Sequence, residues 1–233
     1  MRAPVSIIIP TLDASATLGP ALGALWEGME TGLIREVVVS DGGSDDATAE
    51  IARQAGAIWV TGRAGRGGQL ARGAAAAGGE WLLFVHADTV LLPGWAAAAR
   101  AHMRDHPDRA GWFRLTFDAP GPAPRWVACW ANLRARLLRL PYGDQGLLVP
   151  RALYDACGGF PDIPLMEDVA LARRIGRRMR PLDAVARTGA ERYLAEGWFR
   201  RGARNVGTLA RYLAGADPAD LAARYGRGGP ARR

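Results

Sequence analysis

Three apolar runs constrain this chain most, because each stops abruptly at a polar turn. Val5-Ser6-Ile7-Ile8-Ile9 ends at Pro10-Thr11, and Val37-Val38-Val39 runs into Ser40-Asp41-Gly42-Gly43-Ser44-Asp45-Asp46. Trp81-Leu82-Leu83-Phe84-Val85 runs into His86-Ala87-Asp88-Thr89. Short runs this apolar suit strands covered on both faces, as in a parallel sheet. In open α/β sheets, ligands bind at the carboxyl ends of the strands. The acids that follow the second and third runs are therefore site candidates, and Met166-Glu167-Asp168 adds a third acidic cluster at a helix start.

Helical and strand signals alternate along the first half. A helix near Thr17–Trp26 follows the first strand, and Glu36–Ser40 is the second strand. Ser44 is placed to cap a helix through Ala55, with Asp45 and Asp46 near its positive end. Ile58–Thr61, an Ala-rich helix over Gly68–Gly79, the strand Trp81–Val85 and a helix from Pro93 to about Arg104 follow. This order predicts a mostly parallel sheet with helices on both faces. Further on, Trp112–Phe117 alternates like a strand, Ala119–Pro124 reads as a loop and Trp126–Leu140 as an amphipathic helix. Gly146–Val149 is a short strand, Glu167–Arg178 a helix, and from Gly197 two helices split near Asp217-Pro218. With no long linker and no repeat, the 233 residues read as one domain.

The sequence holds no lysine, so all 30 basic residues are arginine. Residues 1–172 carry a net charge of −3 and residues 173–233 a net of +10. Such a basic segment can meet phosphates or an anionic membrane, and it can equally be a solvated helical face. Trp198, Phe199, Leu209, Tyr212 and Leu213 interleave with the arginines there, and helical spacing places Arg200, Arg204 and Arg211 near one face. Cys129 and Cys157 make no metal spacing and no disulfide framework. The first residues lack a signal-peptide core, and no run reaches the roughly 18 apolar residues of a membrane span, so the cytoplasm is the expected compartment.

Several familiar signatures are excluded. A P-loop needs a lysine that this chain does not have. Leu70 spoils a dinucleotide GxGxxG at Gly65–Gly68, and Met103 stands where a zinc helix with His102 and His106 would need Glu. Gly42-Gly43-Ser44-Asp45-Asp46 lacks the last glycine of a nucleophile elbow.

The remaining constellation resembles the family-2 glycosyltransferases of GT-A fold. The resemblance runs from Val5–Asp13 through Asp41–Thr48, Gly65-Arg66-Gly67-Gly68-Gln69 and His86-Ala87-Asp88 to Gly158-Gly159-Phe160 and Glu167-Asp168. Gly143-Asp144-Gln145-Gly146 and the His-Ala-Asp triplet are similar to a narrower bacterial subgroup, the radical-SAM/selenodomain-associated transferases. The resemblance implies a Rossmann-like central sheet with a helical C-terminal extension. Residues 1–110 would form the nucleotide-sugar-binding half, 111–180 the acceptor half and 181–233 a basic helical tail.

Residue roles follow from the resemblance and from chemistry together. Pro10, Thr11, Asp13, Asp41, Gly43, Arg66, Gln69 and Asp88 are expected to bind the nucleotide sugar. Asp88 matches the last acid of the family's metal motif, and a departing diphosphate calls for Mg2+ or Mn2+ held by one or two carboxylates. His86 stands where many relatives carry the first Asp; it can ligate, bond a phosphate or pack. An acceptor hydroxyl must lose its proton as the new bond forms, so Asp168 is expected as general base, with Glu167 orienting acceptor or loop. Both acids would also favour the positive end of a helix. Asp144 and Gln145 are candidate acceptor contacts. The implied reaction is inverting transfer of a sugar from a UDP or GDP donor to a hydroxyl acceptor. The alternatives are a sugar-phosphate nucleotidyltransferase and a non-catalytic nucleotide-sugar or anionic-surface binding module. No nucleic-acid partner is expected, and peripheral contact with the inner face of an anionic membrane is a further expectation.

Overall fold

The computed structural model describes residues 3–226. Eight strands form one sheet: β1 Val5–Thr11, β2 Ile34–Asp41, β3 Ile58–Thr61, β4 Trp81–Phe84, β5 Thr89–Leu91, β6 Ala110–Phe117, β7 Leu147–Pro150 and β8 Met179–Thr188. Their order is β3-β2-β1-β4-β7-β6-β8-β5. β1 lies parallel between β2 and β4, and β2 pairs in parallel with β3. Beyond β4 the sheet is mixed: β7 runs antiparallel to β4 and β6, whereas β8 is parallel to β6.

The apolar runs are buried on both faces, and side-chain alternation divides them between two cores. Ile7, Ile9, Leu83 and Phe113 join one core with Leu18 and Trp95. Ile8, Leu82, Phe84 and Trp112 join the other with Leu70, Tyr154, Val169 and Leu171. A smaller cluster of Leu115, Phe117, Val127 and Ala131 seats the helix Pro122–Leu138 against the end of β6. Among the described residues, no helix is long and apolar enough to cross a membrane.

Several expected boundaries shift for physical reasons. The first helix divides into Ser15–Gly23 and Trp26–Glu30. Ser44 does not cap the next helix, which begins only at Thr48; its hydroxyl donates to Asp41, and the Thr48 N–H goes to Asp46 instead. The expected Ala119–Pro124 loop gives way at Pro122, which opens a helix from a first-turn position that needs no N–H. The tail does not begin as a helix: residues up to Thr188 belong to β8, wedged between β6 and β5. Pro181 sits opposite Trp112, where the ladder shifts register and the missing donor is tolerated. Helices follow at Glu191–Glu196, Trp198–Leu213 and Pro218–Gly226. Their arginines are not all outward. Arg201 and Arg204 pair with Glu196, while Arg200 and Arg211 are exposed. Trp198 packs on Phe117 and Tyr193, and Leu209 is buried. Residues 227–233 of the expected tail lie outside the described residues.

The glycines at the start of the helix Arg66–Ala76 serve close packing. A Cβ on Gly67 would overlap the Pro161 carbonyl oxygen, and one on Gly68 would press on the Asp162 carboxylate. Gly67→Ala should therefore cost about 1–3 kcal/mol, the usual range for forced overpacking. Gly207→Ala, in open space on a helix, should instead add about 0.5–1 kcal/mol. Urea midpoints of the two variants check the opposite signs.

Candidate active site

One side of the candidate site forms where β1, β2 and β4 end together. Asp41 closes β2 and is 1% exposed. Its carboxylate accepts from the Thr11 hydroxyl at 2.9 Å, the Gly43 and Ser44 amides at 2.7 and 2.8 Å, and the Ser44 hydroxyl at 2.5 Å. Four donors fill a carboxylate's acceptor sites. Asp41 thus shapes the turn, and burial notwithstanding, those hydrogen bonds hold its pKa below the ordinary value. Gly43 takes φ +98°, which the turn demands.

Gln69, also expected at the nucleotide sugar, is anchored in the same way. It is 5% exposed, and its Nε2 donates to Thr11 O at 2.6 Å and Ser40 O at 3.0 Å, while its Oε1 accepts from the Gly65 amide. Both amide hydrogens are used, so Gln69 ties the glycine-rich loop to two strand ends. Pro10 and Thr11 line the same strand end with backbone. Asp13 is exposed at φ +50°; its amide donates to Ser44 Oγ and its carboxylate accepts from the Asp45 amide. Arg66 and Asp88 are exposed at the mouth.

The other side is built on a tight turn, Gly143–Gln145. Gln145 is fully buried; its Oε1 accepts from Tyr142 N and Arg134 Nη2, and its Nε2 donates to Asn132 Oδ1 and Phe113 O. Those bonds make it a support of the turn. Arg134, buried on the helix Pro122–Leu138, also stacks its guanidinium 3.4 Å over the Tyr142 ring. The turn then delivers the Gly143 amide to Asp168 Oδ2 at 2.8 Å. A Cβ on Gly143 would collide with the His86 ring, so only glycine lets the turn close on the strand-end loop. Asp144 keeps Oδ1 buried without a protein partner, and the Tyr142 hydroxyl is in the same condition. His86, Tyr142, Gly143, Glu167 and Asp168 line one pocket with Leu70, Phe84 and Phe160 at its apolar end.

Asp168 enters this pocket from the first turn of the helix Glu167–Ile175. Met166, just before it, holds φ +67°, a left-handed value that costs a non-glycine residue energy and is typical of functional sites. Glu167 is 1% exposed and turns inward toward Arg66, whose Nη1 lies 3.5 Å from Glu167 Oε1.

With this geometry in place, the comparisons decide the family. The model of glycosyl transferase family 2 matches residues 6–159. The chain belongs to this family of glycosyltransferases. No protein of curated function matches it significantly. Among solved structures, S. aureus TarS superposes with a TM-score of 0.61 at 18% identity, over 94% of this chain and 41% of that one. Glucosyl-3-phosphoglycerate synthase from Mycobacterium tuberculosis, in complex with Mn2+ and UDP-glucose, superposes with a TM-score of 0.56 at 22% identity, over 80% of this chain and 69% of that one. The chain thus spans about two fifths of TarS, and likeness at these identities speaks for the GT-A fold.

The family's acidic site is electrostatically crowded here. Burial pushes Glu167 up to about 7, helped by Asp168 and opposed by Arg66. Burial likewise pushes Asp144 up to about 6, with Arg134 opposing and Asp168 and Asp88 reinforcing. Burial and the nearby Arg66 push His86 down to about 4, against Asp88, so its ring is neutral at pH 7. Arg66 loses hydration, yet Glu167, Asp168 and Asp88 more than compensate and raise its pKa. Among the described residues, no three His, Cys, Asp or Glu side chains form a metal cage. The donor set fits a cation of another kind: Mg2+ is commonly held by one or two carboxylates and completed by substrate phosphates. Asp88, exposed beside the neutral His86, would offer such a carboxylate.

Sequence reasoning missed Arg134, Tyr142, Arg192 and Tyr193. Arg192 lies close enough to help lower the His86 pKa, and Tyr193 is close enough to Asp144 for that carboxylate to raise its own. No motif marks them. The one available signal was Arg134 on the apolar side of an otherwise small-residue helix face.

The raised carboxylates have a measurable consequence. Unfolded Glu167 titrates near 4.5 and folded Glu167 at about 7. Between those values the folded chain keeps a proton that the unfolded chain has lost, so stability falls as pH rises. The penalty is absent below the lower value and complete above the upper one. Glu167→Gln should remove on the order of 3 kcal/mol of that decline. Urea unfolding across this pH window checks it; an unchanged slope in the variant would sink the assignment.

Proposed function

We propose that this chain is an inverting glycosyltransferase that moves a sugar from a nucleoside diphosphate to a hydroxyl acceptor. The observation that carries the proposal is Asp168: a half-buried carboxylate, fixed by the Gly143 amide and facing the strand-end loop of His86 and Asp88. In-line displacement would break the bond from the anomeric carbon to the diphosphate oxygen as the acceptor oxygen bonds to that carbon. Asp168 takes the acceptor proton, and Gly143 N–H holds the carboxylate in place through Oδ2. Arg66 stands beside the leaving diphosphate and offsets its growing charge. Glu167 positions Arg66, and Asp144 has a free buried oxygen to orient the acceptor. A divalent cation, Mg2+ or Mn2+, would be held by Asp88 with His86 beside it and would supply further charge neutralisation to the diphosphate.

The donor is read as a UDP sugar, with GDP as the other base. The UDP-glucose and Mn2+ bound by the mycobacterial synthase support the first choice and the cation. The His86-Ala87-Asp88 and Gly143-Asp144-Gln145-Gly146 motifs support a place in the radical-SAM/selenodomain-associated subgroup. The reading includes a cytoplasmic location with peripheral contact to an anionic membrane, supported by the net charge of +10 over residues 173–233.

Two variants separate binding from chemistry. Asp168→Asn should keep the thermal shift produced by UDP with Mn2+ and lose turnover by roughly 10²–10⁴-fold. Asp88→Ala should lose the shift itself. A UDP shift in the wild type that chelator leaves unchanged would remove Asp88 from cation binding, and near-wild-type turnover in Asp168→Asn would remove the base.

A further inference from the structure

Two neighbouring helices turn apolar faces to solvent. On Pro122–Leu138, Val127, Ala128, Ala131, Arg134 and Ala135 face the protein. The opposite face is not polar: Trp126 is 59% exposed, Trp130 45% and Leu137 67%. At about 100° per residue, Trp126, Trp130, Leu133 and Leu137 fall on one narrow stripe. Arg125 and Arg136, both exposed, run along one edge of it. The helix Trp198–Leu213 repeats the pattern. Phe199, 64% exposed, lines up with Val206 and Leu213, and the exposed Arg200 and Arg211 form the edge. The two stripes join where the Trp126 and Phe199 rings approach to 5.6 Å.

Along these two helices the charge is of one sign. The sequence has no acid between Asp118 and Asp144, and none between Glu196 and Asp217. An exposed apolar patch of this extent marks an interaction surface. Tryptophans in an apolar stripe edged by arginines match the water–lipid boundary, where rings sit at headgroup depth and guanidinium groups reach anionic phosphates. A second copy of this chain would set two acid-free arginine edges against each other, which disfavours self-pairing.

We propose that the joined faces of Pro122–Leu138 and Trp198–Leu213 dock the protein on an anionic lipid bilayer. The proposal rests on the peripheral-membrane part of the reading above and is independent of the transfer chemistry. It relocates the contact from the basic tail as a whole to a face centred on Trp126, Trp130 and Phe199. The same helix holds the acceptor turn through Asn132 and Arg134, so docking brings that turn within about one helix diameter of the lipid.

Flotation of the full chain with vesicles tests this. Phosphatidylcholine vesicles containing phosphatidylglycerol should capture the protein, pure phosphatidylcholine should capture far less, and added salt should release it. Trp126→Ala/Trp130→Ala should weaken capture at least tenfold, whereas Trp26→Ala, on a helix packed against β2, should not. Arg125→Gln/Arg136→Gln should narrow the difference between the two vesicle types. Circular dichroism and melting temperature establish that each variant is folded, and quenching of wild-type tryptophan fluorescence by brominated lipid gives a readout without mutation. Wild-type protein that ignores anionic vesicles overturns both the proposal and the membrane reading. Capture that survives loss of both tryptophans, or wild-type fluorescence untouched by brominated lipid, overturns this face alone. A dimer that dissociates in the double tryptophan variant, with no vesicle binding, assigns the face to self-association and overturns the proposal.

Discussion

The buried amide of Gln69 holds one side of the site together. β1 and β2 end side by side, at Thr11 and Asp41, where the Thr11 carbonyl also accepts from the Gly42 amide. Gln69 donates to both, at Thr11 and Ser40, and accepts from Gly65. Three chain segments are thus pinned from inside the protein. Asp13, Arg66 and Asp88 are left exposed at the mouth, available to a ligand. A second glutamine repeats the device on the other side of the site. Gln145 satisfies Tyr142, Arg134, Asn132 and Phe113, while Asp144 beside it keeps an unpartnered oxygen.

The two supports bring like charges together. Asp88, Asp144, Glu167 and Asp168 converge on a region where Arg66 is the cation paired with Glu167. Crowded carboxylates in a half-dry pocket hold protons more tightly, as Glu167 and Asp144 do. Such an arrangement stores repulsion that a cationic ligand or a proton relieves. The neutral His86 fits the same logic, because a second positive charge beside Arg66 is disfavoured there.

Much of this was legible in the sequence. Apolar runs ending at polar turns announced β1, β2 and β4, and the alternation of strands and helices announced the fold. Glu167-Asp168 and Gly143-Asp144 fell in one site although 23 residues separate Asp144 from Glu167 in numbering. What stayed hidden was the direction a polar side chain faces. Asp41, Gln69 and Gln145 look like ligand groups by type and place, yet each is spent on the backbone or side chains around it. A sequence motif carries no sign of whether a polar atom is already paired. β8 was hidden for another reason: Pro181 and a dense run of arginines obscure its alternation, and only the register shift opposite Trp112 makes room for the proline.

The contact between Gly67 and Pro161 bears on how the molecule unfolds. It links the first turn of a donor-half helix to the loop that leads into Glu167-Asp168, with no room for a side chain between them. β7 meanwhile covers the edge of β4 that the first half would otherwise leave open. A chain cut after the first 110 residues would expose both a bare strand edge and the seat of that loop. The two halves named from the sequence are therefore expected to gain and lose their order together, as one cooperative unit.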